Sequence, residues 1–191
     1  NTRLLTVSSI QFASGLRLDI DRIGQFCKDH KILFCIDAIQ SIGAVQFDVQ
    51  KCQADFVMAD GHKWMLGPEG LCVFYTTPTA REQLKLTQFG WHMMDNTHNY
   101  ENKPWDIHPT AQRFECGSPN TMGIYALSAS LSLLLDTGMA SVEKQVLANA
   151  CFLAEIIKLH PGLQLLTKQR QGLQSGIVVF KHTQINQLAL Y

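Results

Sequence analysis

The sequence predicts an α/β fold in which a mostly parallel sheet is flanked by helices. An apolar run over residues 3–10, an amphipathic segment over 19–30 and a second apolar run over 32–38 follow one another closely. A strand, a helix and a strand in this order form a crossover unit, which makes the two strands parallel. Asp19 precedes the amphipathic segment and is the predicted N-cap of its helix.

Two more strands are predicted further along the chain. The stretches "ADFVMAD" (54–60) and "GLCVFYT" (70–76) are short apolar runs of the kind found in buried strands. Between them lies "GPEG", whose glycines and proline favour turn conformations. We therefore expect the chain to reverse tightly there.

The second half of the chain predicts mainly helices. Residues 88–120 show little periodicity and form a long irregular segment. Residues 121–138 predict a helix that ends at Gly138, and 141–162 predict another that Ser141 caps. Short strands are predicted at "LQLLT" (163–167) and "GIVVF" (176–180). The first helix is expected to bury Ile124, Leu127, Leu131, Leu134 and Leu135.

Gly138 is the predicted domain boundary. Residues 1–138 have the pattern of part of a large α/β domain. Residues 139–191 have the pattern of a smaller α+β domain that is incomplete, because a helix is followed only by short strands.

Composition excludes several classes of function. Sixteen basic and sixteen acidic side chains cancel in 191 residues, so no charge excess attracts nucleic acid or an anionic membrane. No run approaches the roughly 18 apolar residues of a spanning helix. We therefore expect a cytoplasmic protein with neither nucleic acid nor membrane as partner. The six scattered cysteines predict reduced core residues rather than a disulfide framework: Cys27, Cys35, Cys52, Cys72, Cys116 and Cys151.

Four polar residues follow predicted strands, where ligands bind in open α/β sheets. Asp37 ends the second strand and Gln40 comes three residues later, while His62 and Lys63 follow the third. If these strands are neighbours, the four side chains converge on one crevice. A carboxylate there needs a cationic partner, and a lysine with a lowered pKa is a nucleophile toward aldehydes. A protonated pyridine ring that carries an aldehyde meets both requirements, so the pattern indicates pyridoxal phosphate.

Each residue also has a structural interpretation. Asp37 alone could cap a helix that begins near Ile39, with Gln40 in its first turn, and His62 could be an ordinary hydrogen-bonded histidine. Ser118 could cap a helix that starts near Pro119. Arg113 and Glu115 could form an ion pair. His92, His98 and His108 fit no zinc spacing, so no metal site is predicted.

The sequence resembles the class V aminotransferase and cysteine desulfurase-like family of fold type I. The resemblance rests on "DAIQSIGAVQFDVQKCQADFVMADGHKWMLGPEGLCVFY" (37–75) and "RFECGSPNTMGIYALSASLSLLLDTG" (113–138). It combines Asp-x-x-Gln, a His-Lys pair and Arg-Phe-Glu-x-Gly-Ser in family order, and it covers essentially the whole chain. Since family members are about twice this length, we expect the chain to be an internal fragment.

The resemblance implies roles for individual residues. Lys63 would form the internal aldimine with pyridoxal phosphate and carry the catalytic proton. Asp37 would pair with the pyridine nitrogen, Gln40 would bind the ring hydroxyl and His62 would approach the phosphate. It also implies a homodimer in which Ser118 reaches the phosphate of the partner subunit. Trp91 is a candidate for the substrate pocket.

One position departs from the family pattern. Asp60 stands three residues before the lysine, where the desulfurase branch often has a phosphate-binding serine. A carboxylate would repel phosphate, so we expect Asp60 to point elsewhere or the chain to belong to another branch.

These observations predict a pyridoxal phosphate enzyme of the aminotransferase type that acts on a small amino acid. One alternative is a cysteine desulfurase, or another lyase or epimerase of the same family. A second alternative, from a different class, is a non-catalytic scaffold or binding protein that keeps the fold.

Overall fold

The computed structural model describes residues 1–97, 101, 105–168 and 172–186. Its main sheet has four strands in the order β1 (Leu4–Ser8), β2 (Leu33–Asp37), β3 (Phe56–Asp60) and β4 (Cys72–Thr76). The first three are parallel, and β4 is antiparallel to β3. The predicted α/β fold with a mostly parallel sheet is therefore confirmed.

Helix α1 (Ile20–Asp29) connects β1 to β2. Asp19 caps it as predicted, since its carboxylate accepts a hydrogen bond from the backbone N–H of Arg22 over 3.1 Å. The helix packs closely on the turn before β3, because a Cβ atom added to Gly24 would lie 1.8 Å from the carbonyl oxygen of Cys52. Glycine permits this close approach of helix and turn.

One face of the sheet forms the core. Phe34, Ile36, Val57 and Ala59 alternate along β2 and β3 and are at most 3% exposed. Side chains of α1 and of helix α3 (Thr121–Thr137) belong to the same apolar cluster. The opposite face keeps Met58 and Phe74 each 37% exposed.

The strand register determines which residues meet at the edge where the site is predicted. Ser8 pairs with Asp37, and Asp37 pairs with Met58. The carboxyl ends of β1, β2 and β3 therefore lie side by side. The predicted reversal after β3 is also present, because Asp60 pairs with Cys72 across the antiparallel strands.

Helix α4 (Met139–Leu159) follows α3 after Gly138, which ends one helix and precedes the other. The prediction that Ser141 caps this helix is wrong, because α4 begins two residues earlier. The predicted apolar side of α3 is only partly buried. Leu127 and Leu134 are each 7% exposed, whereas Ile124 and Leu135 are 46% and 70% exposed. These last two residues lie on a surface that no other described element covers.

The remaining elements are short. Helix α2 (Pro78–Glu82) follows β4, and two 3₁₀ helices cover Trp91–Met93 and Ala111–Phe114. Strands β5 (Leu163–Leu165) and β6 (Phe180–His182) form an antiparallel pair. The strand predicted at 176–180 thus begins at its last residue, because Ser175 and Ile177 are engaged with the loop around Gly15 instead.

In the described part of the chain no single helix is long and apolar enough to cross a membrane. Helices α3 and α4 pass that test of length and composition only together, as a pair bent by 85°.

The six cysteines are free thiols in three different environments. Cys27 and Cys52 lie in the core, as predicted, and Cys35 and Cys116 are half-buried. Cys72 and Cys151 are exposed, so the prediction that they belong to the core is wrong.

Candidate active site

Asp37 is the last residue of β2, and two hydrogen bonds fix its carboxylate. Ser8, directly opposite on β1, donates its hydroxyl to Oδ2 over 3.0 Å, and the backbone N–H of Ile39 donates to Oδ1 over 3.0 Å. The side chain is half-buried, and within the described ranges no basic side chain forms an ion pair with it. This carboxylate is oriented by the fold and lacks a cation, which suits it to receive one.

The alternative role of Asp37 as a helix cap is wrong. The bond from Ile39 closes a local turn of the kind that Asp side chains favour. Residues 39–44 continue as turns rather than as a helix. Gln40 therefore lies in a turn, not in the first turn of a helix.

Gln40 connects the turn after β2 to the segment that carries the lysine. Its side-chain oxygen accepts a hydrogen bond from the indole N–H of Trp64 over 2.9 Å. Gln40 is 8% exposed. Since Trp64 follows Lys63 directly, this bond brings the amide of Gln40 and the backbone of the lysine segment together.

The loop over residues 61–67 holds Lys63 in a fixed backbone frame. Gly67 donates from its N–H to the carbonyl of Gly61 over 2.8 Å, and Leu66 donates to the carbonyl of Lys63 over 3.0 Å. Met65 anchors the loop in the core at 1% exposure. The side chains of His62 and Lys63 are exposed and have no hydrogen-bond or ion-pair partner among the residues described.

Asp60 lies on the same face of the sheet as Asp37. The register pairs Asp37 with Met58, and Asp60 follows two residues later on β3. Its side chain is exposed. The expectation that it points away from a bound phosphate stays a prediction.

The backbone beside Trp91 lies close to Cys116, two residues before Ser118. The backbone N–H of His92 donates to the carbonyl of Cys116 over 3.4 Å, and a Cβ atom added to Gly90 would lie 2.0 Å from that same oxygen. Trp91 is 49% exposed, and Ser118 is exposed. Within the described residues, no hydrogen bond connects the segments that carry Trp91 and Ser118 to Asp37, Gln40 or Lys63.

Two structural interpretations near Ser118 are wrong. Helix α3 begins at Thr121, and Asn120 caps it by accepting the N–H of Gly123 over 3.1 Å. Ser118 is therefore not the cap. Glu115 lies 3.6 Å from Nδ1 of His92 instead of pairing with Arg113.

The described residues contain no group of three or more potential metal ligands. His92 and His108 are each near one carboxylate, at 3.6 Å and 3.8 Å. His98 lies outside the described residues.

Sequence reasoning missed Ser8 and Trp64 as contributors to the site. Both are recognised only through partners far away in the sequence, at separations of 29 and 24 residues. The signal for Ser8 was its position at the end of a strand, and that for Trp64 was its place next to the lysine. Neither signal identifies the partner.

A cavity of about 830 Å³ lies beside the site but does not contain the predicted cofactor-binding side chains. Ser9 and Ser41 line it, and they share a hydrogen bond of 2.6 Å. Asp37, Gln40, His62 and Lys63 do not.

The residues present fit pyridoxal phosphate at three of its functional groups. Asp37 is a carboxylate without a cation, suited to a protonated ring nitrogen. The amide N–H group of Gln40 has no partner in the described structure, so it is suited to the hydroxyl oxygen on the cofactor ring. Lys63 has a free amine, suited to the aldehyde. The residues suited to the phosphate fit it less well, because the Asp60 carboxylate, two residues before His62, would repel a phosphate.

The α/β sheet, with a carboxylate, an amide and a lysine at one edge, agrees with the fold type I class of pyridoxal phosphate-dependent proteins that the family resemblance implies. The sequence profile of the family described as Aminotransferase class-V matches residues 1–190. The chain therefore belongs to the class V aminotransferase family. The cofactor predicted from the sequence, pyridoxal phosphate, is the cofactor of this family.

Curated relatives include desulfurases and an aminotransferase. The chain is 32% identical over 144 residues to a probable cysteine desulfurase of Methanothermobacter thermautotrophicus, covering 75% of this chain and 35% of that protein. It is 27% identical over 188 residues to the uncharacterized aminotransferase YcbU of Bacillus subtilis, covering 98% of this chain and 49% of that protein. The chain thus spans half or less of the length of these relatives.

Solved structures show the same fold. The cystine C–S lyase C-DES, in complex with its reaction product cysteine persulfide, matches with a TM-score of 0.86 and 24% identity, over 95% of this chain and 48% of that one. The apo cysteine desulfurase from Thermococcus onnurineus matches with a TM-score of 0.83 and 21% identity, over 98% of this chain and 46% of that one.

Proposed function

We propose that this chain forms the lysine-bearing part of a pyridoxal phosphate-dependent enzyme that acts on the sulfur-containing side chain of a small amino acid. The observation that supports cofactor binding is the oriented, unpaired carboxylate of Asp37. Three residues later, Gln40 contacts the lysine loop through its hydrogen bond from Trp64. Such a carboxylate at a strand end is costly unless a cationic ligand meets it.

Four residues would hold the cofactor. Asp37 would bind the protonated ring nitrogen, and Gln40 would donate its amide N–H to the hydroxyl oxygen on the ring. Lys63 would bind the aldehyde carbon, and His62 would donate to the phosphate. When bound, the cofactor supplies an electron sink for bonds at the substrate Cα.

The chain's own groups would then manage the protons. Lys63, exposed on an anchored loop, would take the proton from the substrate Cα and return it. Asp37, oriented by hydrogen bonds from the Ser8 hydroxyl and the Ile39 N–H, would pair with the protonated ring nitrogen and stabilise its charge.

The desulfurase or lyase alternative is better supported than the aminotransferase that the sequence analysis put first. Several curated relatives are named probable cysteine desulfurases, and two solved structures that match are a cysteine desulfurase and a cystine C–S lyase. Transamination remains the second candidate, because YcbU, named an aminotransferase, matches 98% of this chain.

We also propose a homodimer in which Ser118 contributes to the partner's phosphate site, with Trp91 near the substrate pocket. Both side chains are exposed, and the Ser118 hydroxyl has no partner within the described structure. The free hydroxyl is therefore able to serve a ligand outside its own chain.

The reaction branch is tested by product analysis. Purified full-length protein, loaded with pyridoxal phosphate, is incubated with cysteine, cystine, alanine and serine, with Lys63→Ala as the control. We expect sulfide or persulfide from a sulfur amino acid, and none with the control. Release of keto acid with amino transfer to an acceptor would favour the aminotransferase. A protein that never takes up pyridoxal phosphate would support the non-catalytic scaffold and overturn the proposal.

A further inference from the structure

The side chain of Trp64, the residue after Lys63, packs against several other parts of the chain. Its ring packs on a small buried cluster of Ile10, Ala44 and Val45 together with Ile177. A Cβ atom added to Gly176 would lie 2.8 Å from its Cη2 atom. The ring therefore connects the lysine loop to a segment more than a hundred residues later in the chain.

The backbone of Trp64 is fixed as well. Gly43 has φ +94°, and a Cβ atom there would lie 2.2 Å from the carbonyl oxygen of Trp64. The turn after β2 thus packs directly against the lysine loop. Because the next residue, Met65, is 1% exposed, Trp64 has little freedom to move.

The hydrogen bond to Gln40 determines which end of the amide faces outward. An indole N–H donates and never accepts, so the amide oxygen of Gln40 must face Trp64. The amide nitrogen then points away from Trp64. This nitrogen has no hydrogen-bond partner in the part of the chain that the structure describes, and it is not fully sealed from solvent.

We infer that Trp64 is a positioning residue that fixes the amide of Gln40 with its N–H group toward the cofactor. This inference rests on the proposed binding of pyridoxal phosphate. Without the indole N–H, the Gln40 amide is free to present its oxygen instead. That oxygen would repel the negatively charged hydroxyl oxygen on the cofactor ring. Trp64 acts through Gln40 and need not touch the ligand.

The alternative is that the Trp64 ring only fills space. Trp64→Phe separates the two roles, because phenylalanine keeps an aromatic ring and removes the N–H donor. Trp105→Phe is the matched control, since Trp105 is 68% exposed and makes no hydrogen bond or ring contact in the part of the chain that the structure describes.

The test is a double-mutant cycle in the full-length protein with pyridoxal phosphate as the ligand. Affinity is measured by titration, and the position of the visible absorption band is recorded for each protein. We expect Trp64→Phe to weaken affinity about three- to tenfold and to shift the band. The reason is that the Gln40 amide no longer holds its N–H toward the hydroxyl oxygen on the cofactor ring. In a Gln40→Ala background, Trp64→Phe has no further effect on either quantity. The control Trp105→Phe changes neither.

The outcomes separate this inference from the proposed function. A wild-type protein that does not bind pyridoxal phosphate overturns both. A wild-type protein that binds it, with Trp64→Phe equally weakening in both backgrounds, overturns only the positioning role.

A second variant keeps the test informative if Trp64→Phe fails to fold. Gln40→Glu retains an oxygen for Trp64 and replaces the outward N–H by another oxygen. We expect its pyridoxal phosphate affinity to fall about tenfold or more, because an oxygen then faces the hydroxyl oxygen on the cofactor ring. Unchanged affinity contradicts the inference.

Discussion

Gly43 is the residue at which the backbone frame of the lysine loop is most sensitive to one added methyl group. Alanine there requires φ near +94° and places Cβ 2.2 Å from the carbonyl oxygen of Trp64 and 2.7 Å from the N atom of Met65. The backbone conformation costs about 1–2 kcal/mol for a residue with a side chain, and overpacking against fixed backbone adds about 1–3 kcal/mol. We expect Gly43→Ala to lower the free energy of unfolding by about 2–5 kcal/mol.

Two other glycines separate the two contributions. Gly70 has φ +81° and no atom within 4 Å of an added Cβ, so Gly70→Ala measures the backbone strain alone. Gly117 has neither a positive φ nor a neighbour, so Gly117→Ala should change stability by less than about 0.5 kcal/mol. Urea unfolding at 25 °C gives all three values, and the expected order of destabilisation is Gly43, then Gly70, then Gly117. If Gly43→Ala is no less stable than Gly70→Ala, the close approach of the turn to the lysine loop is wrong.

Two further predictions concern charge and thiol chemistry. Burial raises the pKa of Glu143, but hydrogen bonds from Gln46 and Arg17 outweigh it and hold that pKa below its ordinary value. Its contribution is therefore complete above about pH 5 and is lost as the pH falls through the lowered pKa. Glu143→Gln should cost about 1 kcal/mol at pH 7, and the cost should shrink as the pH falls through the lowered pKa; a cost that does not change with pH would contradict the role of the charge. Burial raises the pKa of the Cys52 thiol, so iodoacetamide should alkylate exposed Cys151 at least about tenfold faster in the native protein, and equal rates by peptide mapping would refute this.

The sheet could be predicted from the sequence because each strand is a short apolar run between turn residues. The parallel order of β1 and β2 followed from the helix between them, and the reversal before β4 followed from Gly67, Pro68 and Gly70. These are local signals, and local signals locate elements well.

The surfaces of the helices could not be predicted in the same way. Apolar periodicity identifies the face of a helix that can be buried, but not the element that covers it. Ile124 and Leu135 follow the pattern of Leu127 and are nevertheless exposed at 46% and 70%. The start of α4 was missed for a related reason, because Gly138 serves both helix ends and no side-chain cap marks the second.

The candidate site residues could be named from the sequence, and their roles stay a prediction, but the contacts that orient them could not be foreseen. Asp37, Gln40 and Lys63 were identified from their positions after strands and from the family resemblance. The bonds that orient Asp37 and Gln40 come from Ser8 and Trp64, which are joined to them only by strand register and loop packing. Such contacts depend on three-dimensional neighbours and leave no periodic trace in the sequence.

The central claim is that Lys63 is the residue that binds pyridoxal phosphate. The most direct measurement is borohydride reduction of the full-length protein loaded with the cofactor, followed by peptide mapping by mass spectrometry. The account predicts a pyridoxyl group on Lys63, together with loss of the visible absorption band, and no such modification in Lys63→Ala. A pyridoxyl group found on another lysine, with Lys63 unmodified, would contradict it.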